Sequence, residues 1–158
     1  MKSHSRLLLI AFVCFLAAAC QKAPPPPPPA PPLPAPAADA TNDQWKKYVG
    51  EKASRWLKEQ HKSGHIWATY LPKDGDTAEL LKTTQDNFDR GILAGTILVF
   101  GSPDSTKMAD FLQQAFTGVR ETSLKGVVVI FIGNAADKDR VQQAVATSGV
   151  DYVFLEAK

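Results

Sequence analysis

An uninterrupted apolar run, VVVIFI, occupies residues 127–132 and ends at Gly133-Asn134. A second run, TILVF, occupies residues 96–100 and ends at Gly101-Ser102. Neither run alternates apolar with polar side chains, which is typical of strands that are covered on both faces. We therefore predict that these two segments are central strands of a parallel sheet.

Two further strand candidates and four predicted helices surround these central strands. Residues 65–71 mix polar with apolar side chains, which predicts an edge strand, and residues 151–155 form the last strand. Each strand follows a helix-like segment that begins at capping residues and ends at a glycine. The helix starts are Thr41, Asp76, Ser102 and Asn134, and the glycines are Gly64, Gly91, Gly118 and Gly149.

Helices that alternate with strands imply right-handed crossovers and a mostly parallel sheet. The predicted fold class is therefore α/β, a three-layer sandwich with about four mostly parallel strands in repeating helix-strand units. The pattern leaves the strand order open, and one strand could run antiparallel. At the first helix, Thr41 and Gln44 form a capping-box pattern. At the third, Ser102 is the predicted cap and Pro103 the first helical residue.

Residues 1–19 have the pattern of an export signal. Lys2, His4 and Arg6 form a basic start, and an apolar stretch follows from Leu7 to Ala19. This stretch is shorter than the roughly 20 apolar residues that a membrane-spanning helix needs. We therefore divide the chain into a signal peptide at residues 1–19, a linker at residues 20–40 and a folded α/β domain at residues 41–158.

The signal ends in Leu16-Ala17-Ala18-Ala19-Cys20, which resembles the lipobox of bacterial lipoproteins. The resemblance implies cleavage before Cys20, a thioether bond from its sulfur to a diacylglycerol that carries fatty acids such as palmitate, and an acyl chain on the new amino group. Several acyl chains hold a protein at a membrane where one would not. In this family an Asp after the cysteine commonly signals retention in the inner membrane. Because Gln21 stands there, the resemblance implies the periplasmic side of the outer membrane.

The linker is rich in proline and has no charge pattern. Of the 12 prolines in the 158-residue chain, ten lie between Pro24 and Pro36, so we expect this segment to stay outside the packed core. Its composition favours an extended polyproline II spacer of roughly 50 Å. A ligand for a proline-binding groove is the alternative interpretation.

Composition and cysteine usage exclude several function classes. With Lys2, Arg6 and Lys22 removed from the 18 basic residues, residues 39–158 hold 15 basic and 16 acidic residues, a net charge of −1. A domain so close to neutral has no electrostatic footprint for nucleic acid. Cys14 lies in the signal and Cys20 would carry lipid, so the mature domain offers no thiol for disulfide exchange or nucleophilic catalysis.

A ligand site in an open parallel sheet usually lies outside the carboxyl ends of the strands. The loops predicted at that edge supply a candidate ligand rim, which consists of Asp74, Ser102, Asp104, Asn134 and Lys138. The alternative is that such residues only cap helices. The loop at residues 101–107 lacks the second glycine of a phosphate-binding loop, and no loop matches a dinucleotide site, so we expect no cofactor. His61 and His65 are separated by the helix-ending Gly64, so we expect no metal site.

The first predicted helix carries Trp45 and Trp56 among six basic residues. These tryptophans are a candidate partner surface that docks a protein or an anionic surface. The alternative is that they cover the sheet while the lysines are solvated.

The leading functional expectation is a non-enzymatic lipoprotein, held at the membrane by its lipid anchor, that binds a protein partner in the cell envelope. An anchor, a proline-rich spacer and a small α/β domain resemble accessory lipoproteins of type IV secretion and conjugation systems. Residues 97–104, ILVFGSPD, resemble thioredoxin-like conjugation proteins that lack active cysteines. Two alternatives stay open: an immunity lipoprotein that neutralises a periplasmic toxin, and a small-ligand or phosphate-binding α/β enzyme.

Overall fold

The computed structural model describes residues 31–37 and 39–158. The predicted signal peptide, Cys20 and most of the linker lie outside these residues. The described helices and strands all belong to one compact unit, Leu33–Lys158. The α-helices are α1 (Asn42–Glu59), α2 (Ala78–Arg90), α3 (Ser105–Ala115) and α4 (Lys138–Val145), and the strands are β1 (His65–Tyr70), β2 (Thr96–Gly101), β3 (Val128–Gly133) and β4 (Asp151–Glu156).

The four strands form one parallel sheet in the order β1-β2-β3-β4. This order confirms the α/β prediction, and it places β1 at an edge as its mixed composition predicts. Because every crossover moves to the next strand in the same direction, right-handed connections put α2, α3 and α4 on one face. The opposite face is covered by α1, which precedes β1.

Two hydrophobic cores confirm this division of the helices. Alternate side chains of each central strand point into opposite cores, as the pleat of a strand requires. Leu98 and Phe100 pack with the three-helix layer, and Ile97 and Val99 pack with α1. The absence of alternation in the central strands therefore reflects apolar cover on both faces.

The approach of α1 to the sheet depends on one glycine. Gly101, at the end of β2, lies under Val49, and a Cβ at this position would come within 2.6 Å of the Val49 side chain. Real Cβ atoms do not approach so closely, so a larger residue would push α1 away from β2.

The helix starts follow the predictions in part. Thr41 and Gln44 form the predicted capping box of α1, with both reciprocal bonds present. The prediction that Ser102 caps α3 is wrong. Its cap is Asp104, whose carboxylate accepts the Lys107 N–H at 3.0 Å, and the helix begins at Ser105. Ser102 instead accepts the Asp104 N–H within the preceding turn.

The last part of the linker packs on the domain. Leu33 and Ala35 are half-buried against the core beneath α1, and the Trp45 indole N–H donates to the Ala37 carbonyl at 3.3 Å. The expectation that the whole proline-rich segment stays outside the core therefore needs correction. Apolar side chains between the prolines complete the face of the sheet that a single helix covers. The compact unit begins at Leu33, before the predicted boundary at residue 41.

Within the described ranges, every helix is either too short or too polar to cross a bilayer.

Candidate functional site

The loops of the predicted ligand rim lie beside one another, because Lys107 binds the Lys73 and Gly75 carbonyls and Ser105 binds the Asn134 N–H. Ser102 is buried and Asp104 caps α3, so their polar atoms are engaged within the fold. Asn134 lies before a short 3₁₀ turn, Ala135–Asp137, and its side chain makes no capping bond. Asp74 is exposed on the loop between β1 and α2, whereas Asn134 and Lys138 are exposed at the two ends of the short turn that joins β3 to α4. A cleft of about 260 Å³ between α2 and α3 contains Asp104 and none of the other four rim residues.

A buried polar network lies beside the rim. The Ser105 hydroxyl donates to Asp137 at 2.6 Å and accepts the Asn134 N–H at 2.8 Å. Asp137 also accepts from Arg140 at 2.8 Å. Every polar group here is satisfied by the fold, because Ser105 joins α3 to the loop after β3 and Asp137 holds the start of α4. The network therefore stabilises the packing of α3 on α4.

Lys107 has a similar structural role. Its ammonium group donates to the carbonyls of Pro72, Lys73 and Gly75 at 3.1, 3.2 and 3.1 Å. These bonds hold the loop between β1 and α2 against α3. The three donors of the Lys107 ammonium group therefore already have acceptors within the fold.

Two histidines, His61 and His65, lie in the described part of the chain. His61 and His65 are exposed, and the His65 ring contacts Trp67 edge-on, with ring centres 5.9 Å apart. Among residues 31–37 and 39–158, no group of three or more His, Cys, Asp or Glu side chains is arranged to hold a metal ion.

The two tryptophans of α1 mostly cover the sheet. Trp45 is only 7% exposed and packs edge-on against Tyr48 in the core beneath α1. This corrects the expectation that Trp45 belongs to a partner surface, since its ring is already buried. Trp56 is half-buried against the same core, and the Lys62 ammonium group lies over its ring at 5.7 Å.

The edge strand β1 presents unpaired backbone groups. The Leu71 N–H donates to the Gly101 carbonyl at 3.2 Å. The backbone N–H and C=O groups of Leu71, and of every second residue before it, therefore point toward β2. Because N–H and C=O groups alternate in direction along a strand, those of Ile66 and Ala68 point away from the sheet. Within the described part of the chain, nothing hydrogen-bonds to these outward groups. They form an open template for another strand.

The exposed middle of this edge, Ile66, Trp67 and Ala68, is apolar. Ile66 is 48% exposed and Trp67 is 39% exposed, and β1 contains no Asp, Glu, Lys, Arg or Pro. Natural sheet edges usually carry such residues because they discourage pairing with other chains. At the opposite edge, β4 begins with Asp151 and ends with Glu156. Only β1 is therefore an apolar edge without charged residues in the described sheet.

A cleft of about 620 Å³ adjoins this edge on the three-helix face. It is lined by His65 and Trp67 of β1 and by the loop at residues 91–96, whose Leu93 is 83% exposed. The cleft exists because α2 packs sideways on α3, where Phe88 contacts Phe116 with ring centres 4.8 Å apart. α2 thus buries only Thr84 and Phe88 and leaves the outer part of β1 uncovered. We name Ile66, Trp67, Ala68 and Leu93 the β1-edge surface.

Sequence reasoning missed the β1-edge surface. The mixed composition of residues 65–71 predicts an edge strand, but the prediction did not include exposure of Ile66, Trp67 and Leu93. The lack of a charged residue or proline in the predicted edge strand was the available signal.

A scan against protein-family models and searches of curated proteins and of solved structures each return no match to this chain.

Proposed function

We propose that this chain is a lipid-anchored, non-enzymatic component of the bacterial cell envelope that binds another protein through β1. The occupant is an extended apolar segment of the partner, which adds to β1 as a further strand. The observation that supports this proposal is the unpaired, uncharged and apolar edge formed by the β1-edge surface.

The chemistry of the edge favours an extended apolar segment. The outward groups of Ile66 and Ala68 can exchange backbone hydrogen bonds with a strand of any sequence. Side chains of that strand would then alternate between the two faces of the sheet. On the three-helix face they would reach Trp67 and the exposed Leu93, and on the other face Ile66. These three are apolar, so the partner segment is expected to be apolar where it lies against them.

The location of the domain rests on the lipobox resemblance at residues 16–20. Cys20 would hold the chain in the outer membrane, and the linker would place the domain in the periplasm. A component of an envelope assembly, such as a type IV secretion or conjugation system, needs both an anchor and a protein-binding surface. An immunity lipoprotein would need the same parts, and the identity of the partner distinguishes the two.

The test places the photo-reactive residue benzoylphenylalanine at position 93 of the full chain, and the chain is produced in the bacterium from which it comes. Light should join the chain to one partner protein, through a peptide that mass spectrometry identifies. In combination with Ala68→Pro, the yield should fall about tenfold or more, because proline removes the outward N–H and its ring blocks the approaching strand. Since the Ala68 N–H takes no part in the ladder with β2, this variant keeps the fold.

The matched control is Ala68→Val, which keeps the N–H and suits a strand. It should retain the crosslink, and both variants should unfold at the same denaturant concentration as the parent chain. A crosslink that survives Ala68→Pro, or an adduct of two copies of this chain, would contradict the proposal.

A further inference from the structure

The basic charge of the domain is concentrated on α1. Helix α1 and the three residues that follow it (residues 42–62) contain six basic and three acidic residues, a net charge of +3, and Lys62 lies just after the helix. The remainder of residues 39–158 contains nine basic and 13 acidic residues, a net charge of −4. The near-neutral total thus conceals a strong separation of charge between α1 and the rest of the domain.

The outer face of α1 presents this net charge to solvent, with the acidic Asp43 and Glu51 paired to Lys46 and Arg55 on the same side of the helix. Lys47 and Lys58 are exposed, lie three turns apart on the side away from the sheet, and have no ion-pair partner among the described residues. Gly50 and Ser54 lie between them and are also exposed. Because both are small, a flat surface can approach the helix closely along this line.

Three further lysines flank the line, and one of them, Lys46, also forms an ion pair with Asp43 at 3.8 Å. Lys46, Lys52 and Lys62 lie over the rings of Tyr70, Tyr48 and Trp56, with the ammonium groups 5.6, 5.5 and 5.7 Å from the ring centres. An aromatic ring attracts an ammonium group but does not neutralise its charge. These positions therefore widen the basic face around Lys47 and Lys58.

The tether joins the domain beside the same helix. The Trp45 indole of α1 holds the Ala37 carbonyl, and Leu33 and Ala35 pack against the core beneath α1. The chain before Leu33 is thus attached on the α1 side of the sheet. If residues 20–32 are extended, they reach about 40 Å. A membrane that holds Cys20 is therefore within reach of α1.

We propose that the outer face of α1 docks on the anionic phospholipid headgroups of the bilayer that holds the anchor. This inference rests on the lipid anchor of the proposed function. A net charge of +3 beside an anionic surface favours the docked orientation by roughly 100-fold at low salt. Docking through α1 turns the three-helix layer, and with it the cleft at Trp67, away from the bilayer and toward soluble or membrane-bound partners.

The test uses the chain from Cys20 onward, joined through the Cys20 sulfur to a maleimide lipid, so that anchoring does not depend on cellular processing. With Trp67→Phe, the remaining tryptophans, Trp45 and Trp56, both belong to α1. Energy transfer from them to dansyl-labelled headgroups reports how close α1 lies to the bilayer. Vesicles of phosphatidylcholine alone are compared with vesicles that also contain phosphatidylglycerol.

Transfer should be higher with phosphatidylglycerol, and high salt should return it to the value in phosphatidylcholine because salt screens the charges. Lys47→Glu with Lys58→Glu should abolish the difference. The matched control, Lys73→Glu with Lys125→Glu, makes the same change of charge outside α1 and should leave it intact. Equal transfer in both vesicles, or equal loss in the two double variants, would overturn the proposal.

Failure of docking and failure of the anchor are separate results. Because the anchor is chemical in this experiment, an unmodified Cys20 in cells would refute the lipoprotein proposal without changing the measured transfer. An acylated Cys20 together with absent docking would refute only the role of α1.

Discussion

At the scale of single residues, Tyr48 has a buried hydroxyl without a hydrogen-bond partner among the described residues. Its ring packs with Trp45 and lies under the Lys52 ammonium group, so the aromatic contacts do not depend on the hydroxyl. An unsatisfied buried hydroxyl destabilises a fold by about 1–3 kcal/mol. We therefore expect Tyr48→Phe to leave the free energy of unfolding unchanged or to raise it by about 1 kcal/mol, as measured by urea unfolding.

Tyr70→Phe is the control for this prediction. The Tyr70 hydroxyl donates to Asn42 at 2.8 Å, so its loss should lower the free energy of unfolding by about 1 kcal/mol. If Tyr48→Phe were as destabilising as Tyr70→Phe, the Tyr48 hydroxyl would have a partner that the described residues do not supply.

At the scale of elements, the hydrogen bonds at the starts of the helices show which of the predicted rim residues act as helix caps. Asp104 caps α3 with a hydrogen bond from the Lys107 N–H, whereas the Asn134 side chain makes no capping bond. We expect Asp104→Ala to cost about 1 kcal/mol of unfolding free energy and Asn134→Ala to cost less than about 0.5 kcal/mol. Thermal unfolding of the two variants measures this difference.

The same variants bear on the small-ligand alternative. If the predicted rim were a phosphate site, either substitution should abolish binding of inorganic phosphate in a calorimetric titration. We expect the titration to show no phosphate-specific heat in the parent chain or in the variants. Phosphate binding that disappears in a folded Asn134→Ala variant would contradict the capping interpretation and support the enzyme alternative.

At the scale of the whole molecule, location depends on Cys20. Mass spectrometry of the mature chain should find residue 20 at the N-terminus, with diacylglycerol on its sulfur and an acyl group on its nitrogen. Cys20→Ser should accumulate as the uncleaved precursor, because the lipobox resemblance implies that processing follows modification of the thiol.

Cys14→Ser is the matched control for Cys20→Ser. This residue lies in the predicted signal, so its substitution should leave cleavage and acylation unchanged. A mature chain with an unmodified residue 20, or with the signal still attached, would exclude the lipid anchor. The domain would keep its β1-edge surface in either case.

The sequence by itself determined the class of the fold and most of its elements. Uninterrupted apolar runs at residues 96–100 and 127–132 are sufficient to predict covered central strands, because only a strand with two apolar neighbouring layers tolerates them. The glycine after each helix and the capping box at Thr41 are local signals, and they depend on a few neighbouring residues. The start of α3 was predicted wrongly because Ser102 and Asp104 both have capping side chains, and only one of them accepts the helical N–H.

The tertiary structure alone decided which residues are exposed. Trp45 and Trp67 are the same residue type on neighbouring elements, yet the first is buried beneath α1 and the second lines a cleft. The difference arises because α2 packs against α3 and leaves β1 uncovered, while Leu33 and Ala35 close the face beneath α1. Such choices depend on contacts between segments that are distant in the chain, and local patterns leave them open between a buried and an exposed alternative.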